Sequence, residues 1–346
     1  MKAVVLEANE VLKYREIEDP QPGHGTVRIK VAVCGICGSD MPRVFDHGAR
    51  SYPLILGHEF SGVVDKVGEG VVSLSAGDHV VAAPLLPCGV CEDCLNGNYS
   101  LCSHYSFIGS RQNGAMAEYV VVPEANVVKI PNSLSMEQAA TIEPATGARH
   151  AFKTSRFTAG KSVAVIGCGI IGLYAVQWAR ILGASEVTAI GRGQNGLDAA
   201  LRVGADRAVS TSGRTEKEMQ GLLGDGFDYV FECSGADATI HLSIATVAKK
   251  GTVCLIGTPK QPLSFTVSQW ETINRKECWV TGSWMSYSAP FPGEEWTDSV
   301  RCMCSGELCS DPGLVYGVYP MSQAQAAFEA IRSGAAKGRV LLTNEL

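Results

Sequence analysis

Residues 162–182 constrain the fold more than any other stretch of the chain. Residues 162–166 are apolar apart from Ser162, and they run directly into Gly167-Cys168-Gly169-Ile170-Ile171-Gly172. Alanine, leucine and aromatic residues then continue to Leu182. A lone G-x-G-x-x-G spacing says little. Between a strand and a helix it carries a mechanism: the glycines permit a tight turn, close approach of backbone to a pyrophosphate, and close helix–strand packing. The amide N–H groups at the start of that helix, Ile170 and Ile171 among them, then face the phosphates.

Further βα units follow. Residues 186–190, 207–210, 227–232 and 251–256 read as strands, a helix falls near 238–248, and 278–283 reads as a last strand. This alternation implies a doubly wound parallel sheet. Residues 1–130 read differently. The runs 26–33, 61–67, 79–83 and 117–122 are short, apolar or alternating, and bounded by Gly, Pro, Asp and Asn, which predicts a compact, partly open β-barrel. Residues 136–141 look helical, and Pro144 suits the first position of a second helix running through Phe152. A helix at 322–332 and a strand at 337–342 return the chain to the first domain. The expected organisation is α/β in two domains: 1–150 with 287–346, and 151–286.

At 346 residues the chain can bury a sizeable core. Its formal charge of −6 argues against a general binder of nucleic acid or anionic membrane, which needs a basic face. No apolar run reaches membrane-spanning length. Thirteen cysteines in so long a chain, opening Met1-Lys2-Ala3-Val4-Val5 rather than with a signal peptide, point to reduced thiols and metal ligands in the cytoplasm.

Two cysteine groups carry chemistry. Cys88, Cys91, Cys94 and Cys102 follow a C-x2-C-x2-C-x7-C spacing in a lobe with little apolar content. Four thiolates so placed can close a tetrahedron around Zn²⁺ and replace the missing core, although thiolates also hold iron–sulfur clusters. His104, just beyond, reads as a surface residue. Cys37 and His58 each follow an apolar run, and Glu59 is adjacent. One thiolate, one imidazole and carboxylates suit a zinc ion with an open position. Cys34-Gly-Ile-Cys37 has the form of a redox motif, but it lies between strand-like runs, so Cys34 reads as packing. Glu143 falls at a helix start, where its charge meets either the helix dipole or a metal.

The segments G-I-C-G-S-D at 35–40, G-H-E-F-S-G at 57–62, P-C-G-V-C-E-D-C from Pro87 and V-I-G-C-G-I-I-G from Val165 resemble those of the medium-chain zinc-dependent alcohol and polyol dehydrogenases. The resemblance covers essentially the whole chain. It implies a GroES-like catalytic domain carrying a zinc lobe, a Rossmann domain facing the same cleft, and reversible oxidation of a secondary hydroxyl by hydride transfer to NAD(P). It also implies two zinc ions: a structural one on Cys88, Cys91, Cys94 and Cys102, and a catalytic one on Cys37, His58 and either Glu59 or Glu143. Ser39 matches the hydroxyl that relays the proton, while the histidine ending that relay in some relatives is replaced by Met41-Pro42. The last Rossmann strand pairs with its mate in the family, so a homodimer or homotetramer is expected.

Substrate and cofactor choice rest on finer residues. A polyol or polyol phosphate is expected, with Arg43, Arg50 and Arg111 as candidate phosphate contacts through their guanidinium forks. A non-phosphorylated polyol or diol, as in the sorbitol branch, is the alternative, although Met285-Ser286 stands where that branch carries Arg-Tyr. An NAD-binding fold usually presents an acid about twenty residues beyond its glycine loop. Here the position is Gly191, followed by Arg192, which predicts NADP with NAD as the alternative.

Overall fold

The computed structural model describes residues 1–310, 314–336 and 338–344. They divide into two compact units, Met1–Glu143 with Tyr287–Gly306 and Ser310–Leu346, and Pro144–Ser286 with Glu307–Cys309. The short return of Glu307–Cys309 to the second unit has a local cause. The Gln177 side chain donates to the Cys309 carbonyl at 3.2 Å and accepts from the Cys309 N–H at 2.6 Å.

The first unit is built on one long strand. Thr26–Gly35 is rich in Val, Ile and Ala and is buried along nearly all its length, as a strand covered on both faces must be. It lies inside a seven-stranded sheet, ordered Val127–Lys129, His79–Ala82, Glu59–Val67, Thr26–Gly35, Arg339–Thr343 and Val315–Pro320, with Tyr119–Pro123 also pairing to it. Antiparallel register sets Gly35 opposite Glu59 on one side and opposite Leu341 on the other. The far end of this strand is therefore where Cys37, His58 and Glu59 must converge. Ile29, Val31, Val27, Leu56 and Phe328 fill the core beneath it.

Several elements depart from the pattern reading. Val11–Glu16 forms a hairpin with Lys2–Ala8, but its side chains are mostly exposed and include Lys13, Arg15 and Glu16, so it shows no buried face. Helix Glu294–Ser305 buries Glu295, Ser299 and Cys302 on its inner face, which disguises the apolar stripe. The second helix of the 136–154 region begins earlier than expected, at Ile142, with Glu143 in its first turn. The expected strand start at Lys337 lies outside the described residues; the strand itself runs Arg339–Thr343.

The second unit holds a parallel sheet ordered Arg207–Ser210, Glu186–Gly191, Ser162–Ile166, Phe227–Glu232, Val247–Leu255 and Trp279–Gly282. Chain order reverses between Ser162–Ile166 and Phe227–Glu232, which makes that junction the topological switch point where such sheets bind ligands. Val163, Ala164, Val165 and Ile166 are fully buried, as strands sandwiched between helices require.

Candidate metal centres and dinucleotide site

Cys37 lies just past the Thr26–Gly35 strand, and His58 just before Glu59–Val67. The sheet register brings the ligand atoms of Cys37, His58 and Glu59 within 4.8 Å of one another. A tetrahedral zinc with bonds of about 2.0–2.3 Å separates its donors by roughly 3.3–3.8 Å, so the set fits such an ion after small side-chain adjustments. Glu143, in the first turn of the Ile142–Thr154 helix, contributes a further carboxylate whose charge acts on His58.

The electrostatics favour metal binding. Burial pushes the Cys37 thiol up, but the neighbouring His58 imidazole outweighs it and brings the thiol down to about 6. Burial likewise opposes the imidazolium, yet Asp40 and Cys37 raise His58 to about 9. Burial pushes the Glu143 carboxyl up to about 7. The sulfur is thus held close to its thiolate form, and a metal would displace the imidazole proton.

Two residues that sequence reasoning missed complete this pocket. Asp40, fully buried, accepts the Cys37 N–H at 3.1 Å and sets its Oδ1 3.7 Å from His58 Nδ1. Arg339, also buried, forms an ion pair with Glu59 and donates to the Ile36 carbonyl at 2.9 Å. The only signal for Asp40 was its place within C-G-S-D. Arg339 had none, because the register that buries it joins distant parts of the chain.

Ser39 is exposed; its N–H points to Cys37 Sγ at 3.4 Å, and its Oγ accepts from Arg43 at 3.0 Å. Arg43 also donates to the Ser39 carbonyl at 2.8 Å and to Asp40 at 3.2 Å, so it is tied into the metal loop. Arg50 is exposed. Arg111 donates to the Tyr105 carbonyl at 2.7 Å and stacks over the Tyr105 ring at 3.7 Å.

The second cluster is tighter. Sγ atoms of Cys88 and Cys94 lie 4.0 Å apart, and those of Cys91 and Cys102 3.8 Å apart. Sulfurs around a tetrahedral zinc stand about 3.8 Å apart, whereas a disulfide would bring two of them to about 2.05 Å. Backbone N–H groups aim at the sulfurs: Cys88 N–H at Cys102 Sγ, 3.3 Å, and Cys91 N–H at Cys88 Sγ, 3.4 Å. Such donors from Val90 and Cys91 lower the Cys88 thiol to about 6. His104 is exposed, and Cys34 is buried in the apolar core, where burial drives its thiol far up.

In the second unit the glycine loop bridges Ser162–Ile166 and the Ile170–Ile181 helix. Gly167 has a φ of +100°, and a Cβ on Gly172 would fall 1.8 Å from the Gly167 carbonyl oxygen. A Cβ on Gly169 would meet nothing within 4 Å, so the loop leaves open space at the helix N-terminus, as a bound pyrophosphate requires. Gly191 closes the Glu186–Gly191 strand, and a Cβ there would stand 3.0 Å from Cys168 Sγ. Arg192 is exposed beside it.

The alcohol dehydrogenase GroES-like domain family matches residues 23–132, and the zinc-binding dehydrogenase family matches residues 171–303. The chain belongs to the zinc-binding alcohol dehydrogenases. Galactitol 1-phosphate 5-dehydrogenase of Escherichia coli (strain K12) is 41% identical to this zinc-binding dehydrogenase over 345 residues, 99% of either chain. The crystal structure of galactitol-1-phosphate dehydrogenase from Escherichia coli matches it with a TM-score of 0.95 at 40% identity, covering 99% of this chain and 100% of that one. A zinc-binding dehydrogenase from Sinorhizobium meliloti 1021 bound to NADP matches with a TM-score of 0.90 at 30% identity, over 99% of each chain. Membership makes this chain a zinc-dependent oxidoreductase that uses a nicotinamide dinucleotide, a polyol dehydrogenase by its relatives.

Proposed function

We propose that the chain oxidises a secondary hydroxyl of a phosphorylated polyol of the galactitol 1-phosphate type, reversibly, with NADP as hydride acceptor. The observation that carries the reading is the convergence of Cys37, His58 and a carboxylate in a chain 41% identical to the Escherichia coli enzyme. The catalytic zinc is held by Cys37, His58 and one of Glu59 and Glu143; the structural zinc by Cys88, Cys91, Cys94 and Cys102. Zinc held there would supply Lewis acidity toward a substrate hydroxyl, and a bound nicotinamide would supply the hydride acceptor. Asp40 orients the His58 ring from its Nδ1 side, and Arg339 holds Glu59 beside the pocket. Ser39 accepts from Arg43, so its own hydroxyl proton points elsewhere, in keeping with a role in passing the substrate proton onward.

Arg50, Arg111 and Arg43 are the candidate contacts for the substrate phosphate, Arg50 foremost because the other two are tied to Tyr105 and to Ser39. Gly191 removes the acid that would repel a 2′-phosphate, and Arg192 supplies a guanidinium for it, as a bound NADP in a 30%-identical relative makes plausible for the fold. The first unit serves as the catalytic domain and the second as the dinucleotide domain of a cytoplasmic homodimer or homotetramer. The edge strand Trp279–Gly282, with Trp279 and Val280 exposed, suits pairing with a second copy.

Sugar alcohols and their phosphates, each offered with NADP and with NAD, test this reading by reduced-cofactor absorbance. The expected outcome is turnover of a hexitol phosphate with kcat/KM at least tenfold above its parent polyol, lost in Cys37→Ser. Equal efficiency with the two forms removes phosphate recognition from the reading.

A further inference from the structure

A buried carboxylate that the chemistry above does not use stands at the switch point of the second unit. Glu232 ends the Phe227–Glu232 strand, opposite Ile166 in register, and is fully buried. Its carboxylate accepts the Ser234 N–H at 2.9 Å, the Gly235 N–H at 3.0 Å and the Thr239 hydroxyl at 2.8 Å. Its carbonyl accepts the N–H groups of Ile256 at 2.9 Å and Gly257 at 3.0 Å. Burial raises its carboxyl above the ordinary range, against the pull of these donors. Among the described residues no basic side chain pairs with it. A buried carboxylate without a counter-cation is costly unless its hydrogen bonds are worth keeping.

What those bonds hold is the turn after the strand. The Cys233 N–H reaches the Ile166 carbonyl at 2.8 Å, and Ser234 packs so closely on Gly167 that a Cβ there would lie 3.1 Å from it. Gly235 takes a φ of +70°, and a Cβ on Gly257 would come within 2.8 Å of Glu232 Oε2. The turn after the fourth strand is thus gathered on the Glu232 carboxylate and pressed against the first glycine of the phosphate loop, while the loop after the fifth strand is bonded to the Glu232 backbone carbonyl.

We infer that Glu232 is a positioning residue for the dinucleotide: it fixes the 233–235 turn as the wall of the site facing Gly167. The inference rests on the reading that this unit binds a nicotinamide dinucleotide. Glu232→Gln keeps the shape but turns an amide NH₂ toward the donor N–H groups, and Thr239→Val removes one donor and leaves the charge. Fluorescence titration of each purified variant with NADPH and NADH gives cofactor affinity without turnover. Zinc content and the polyol KM at saturating cofactor report on the other site. Glu232→Gln should weaken cofactor binding at least tenfold and Thr239→Val two- to fivefold, with zinc content and polyol KM within twofold of the parent. Parent-like cofactor affinity in folded Glu232→Gln overturns the inference, as does an equal loss in both KM values. If Glu232→Gln does not fold, unchanged affinity in Thr239→Val overturns it. A parent that binds neither dinucleotide sinks the functional reading itself, and the inference with it.

Discussion

Removing the Arg339 guanidinium would leave Glu59 as a buried charge beside the metal pocket. Breaking one side of such a pair costs roughly 3–5 kcal/mol, because the remaining ion keeps its desolvation penalty and loses its partner. Arg339→Met should therefore shift chemical denaturation of the protein by about that amount, and Arg339→Met with Glu59→Gln should recover most of the loss. An unshifted midpoint in the single variant would show that the pair contributes nothing. On the proposed use of NADP, Arg192 is the side chain that sets cofactor choice. A charge-assisted hydrogen bond to a 2′-phosphate is worth about 1.5–3 kcal/mol, so Arg192→Ala should lower kcat/KM for NADP roughly ten- to a hundredfold and leave NAD nearly untouched. Steady-state kinetics with both cofactors check this. The reverse change is less clean: an aspartate at 191 must first displace Cys168 Sγ, 3.0 Å from where its Cβ would sit.

At the scale of elements, the four-cysteine lobe carries the clearest prediction. Its helix Glu92–Leu95 is a single turn, its strands Leu85–Leu86 and Ser106–Phe107 are two residues each, and Val90, Leu95 and Leu101 are exposed. So little packing leaves the thiolates as the main source of order. On the proposal of two zinc ions per chain, Cys91→Ser should lower the zinc-to-protein ratio to about one and depress the thermal midpoint by several degrees. Metal analysis with full zinc retention would exclude a metal role for the lobe. This lobe, the glycine loop, Cys37 and His58 were all legible in the sequence, because each is a motif of closely spaced residues whose chemistry is set by type. The parallel sheet was legible because its strands are continuous apolar runs. Arg339 was not, since a basic residue in a short C-terminal strand looks solvated until Leu341 is set opposite Gly35. Helix Glu294–Ser305 stayed hidden for a similar reason: its inward Glu295 bonds the Ser288 hydroxyl at 2.6 Å, a partner that no periodicity reveals.

For the whole molecule, the open edge of the parallel sheet is the feature on which the proposed pairing with a second copy rests. Trp279 and Val280 lie exposed on its last strand, with Trp284 exposed just beyond, a combination that isolated soluble sheets avoid. If the chain pairs through this edge as proposed, a charge placed there, as in Trp279→Glu, should leave monomers, read by light scattering coupled to gel filtration. A parent that is already monomeric at micromolar concentration would refute pairing through this edge. The discontinuity of the first unit has a consequence for how the protein is made. On a ribosome the second unit, Pro144–Ser286 in its main body, emerges before the strand Arg339–Thr343 exists. Cys37, His58 and Glu59 are therefore synthesised well before Arg339, and the ion pair that clamps Glu59 cannot form until that residue is made. A nascent chain stalled ahead of that strand would carry the main body of the second unit complete, while Glu59 still stood without its guanidinium partner.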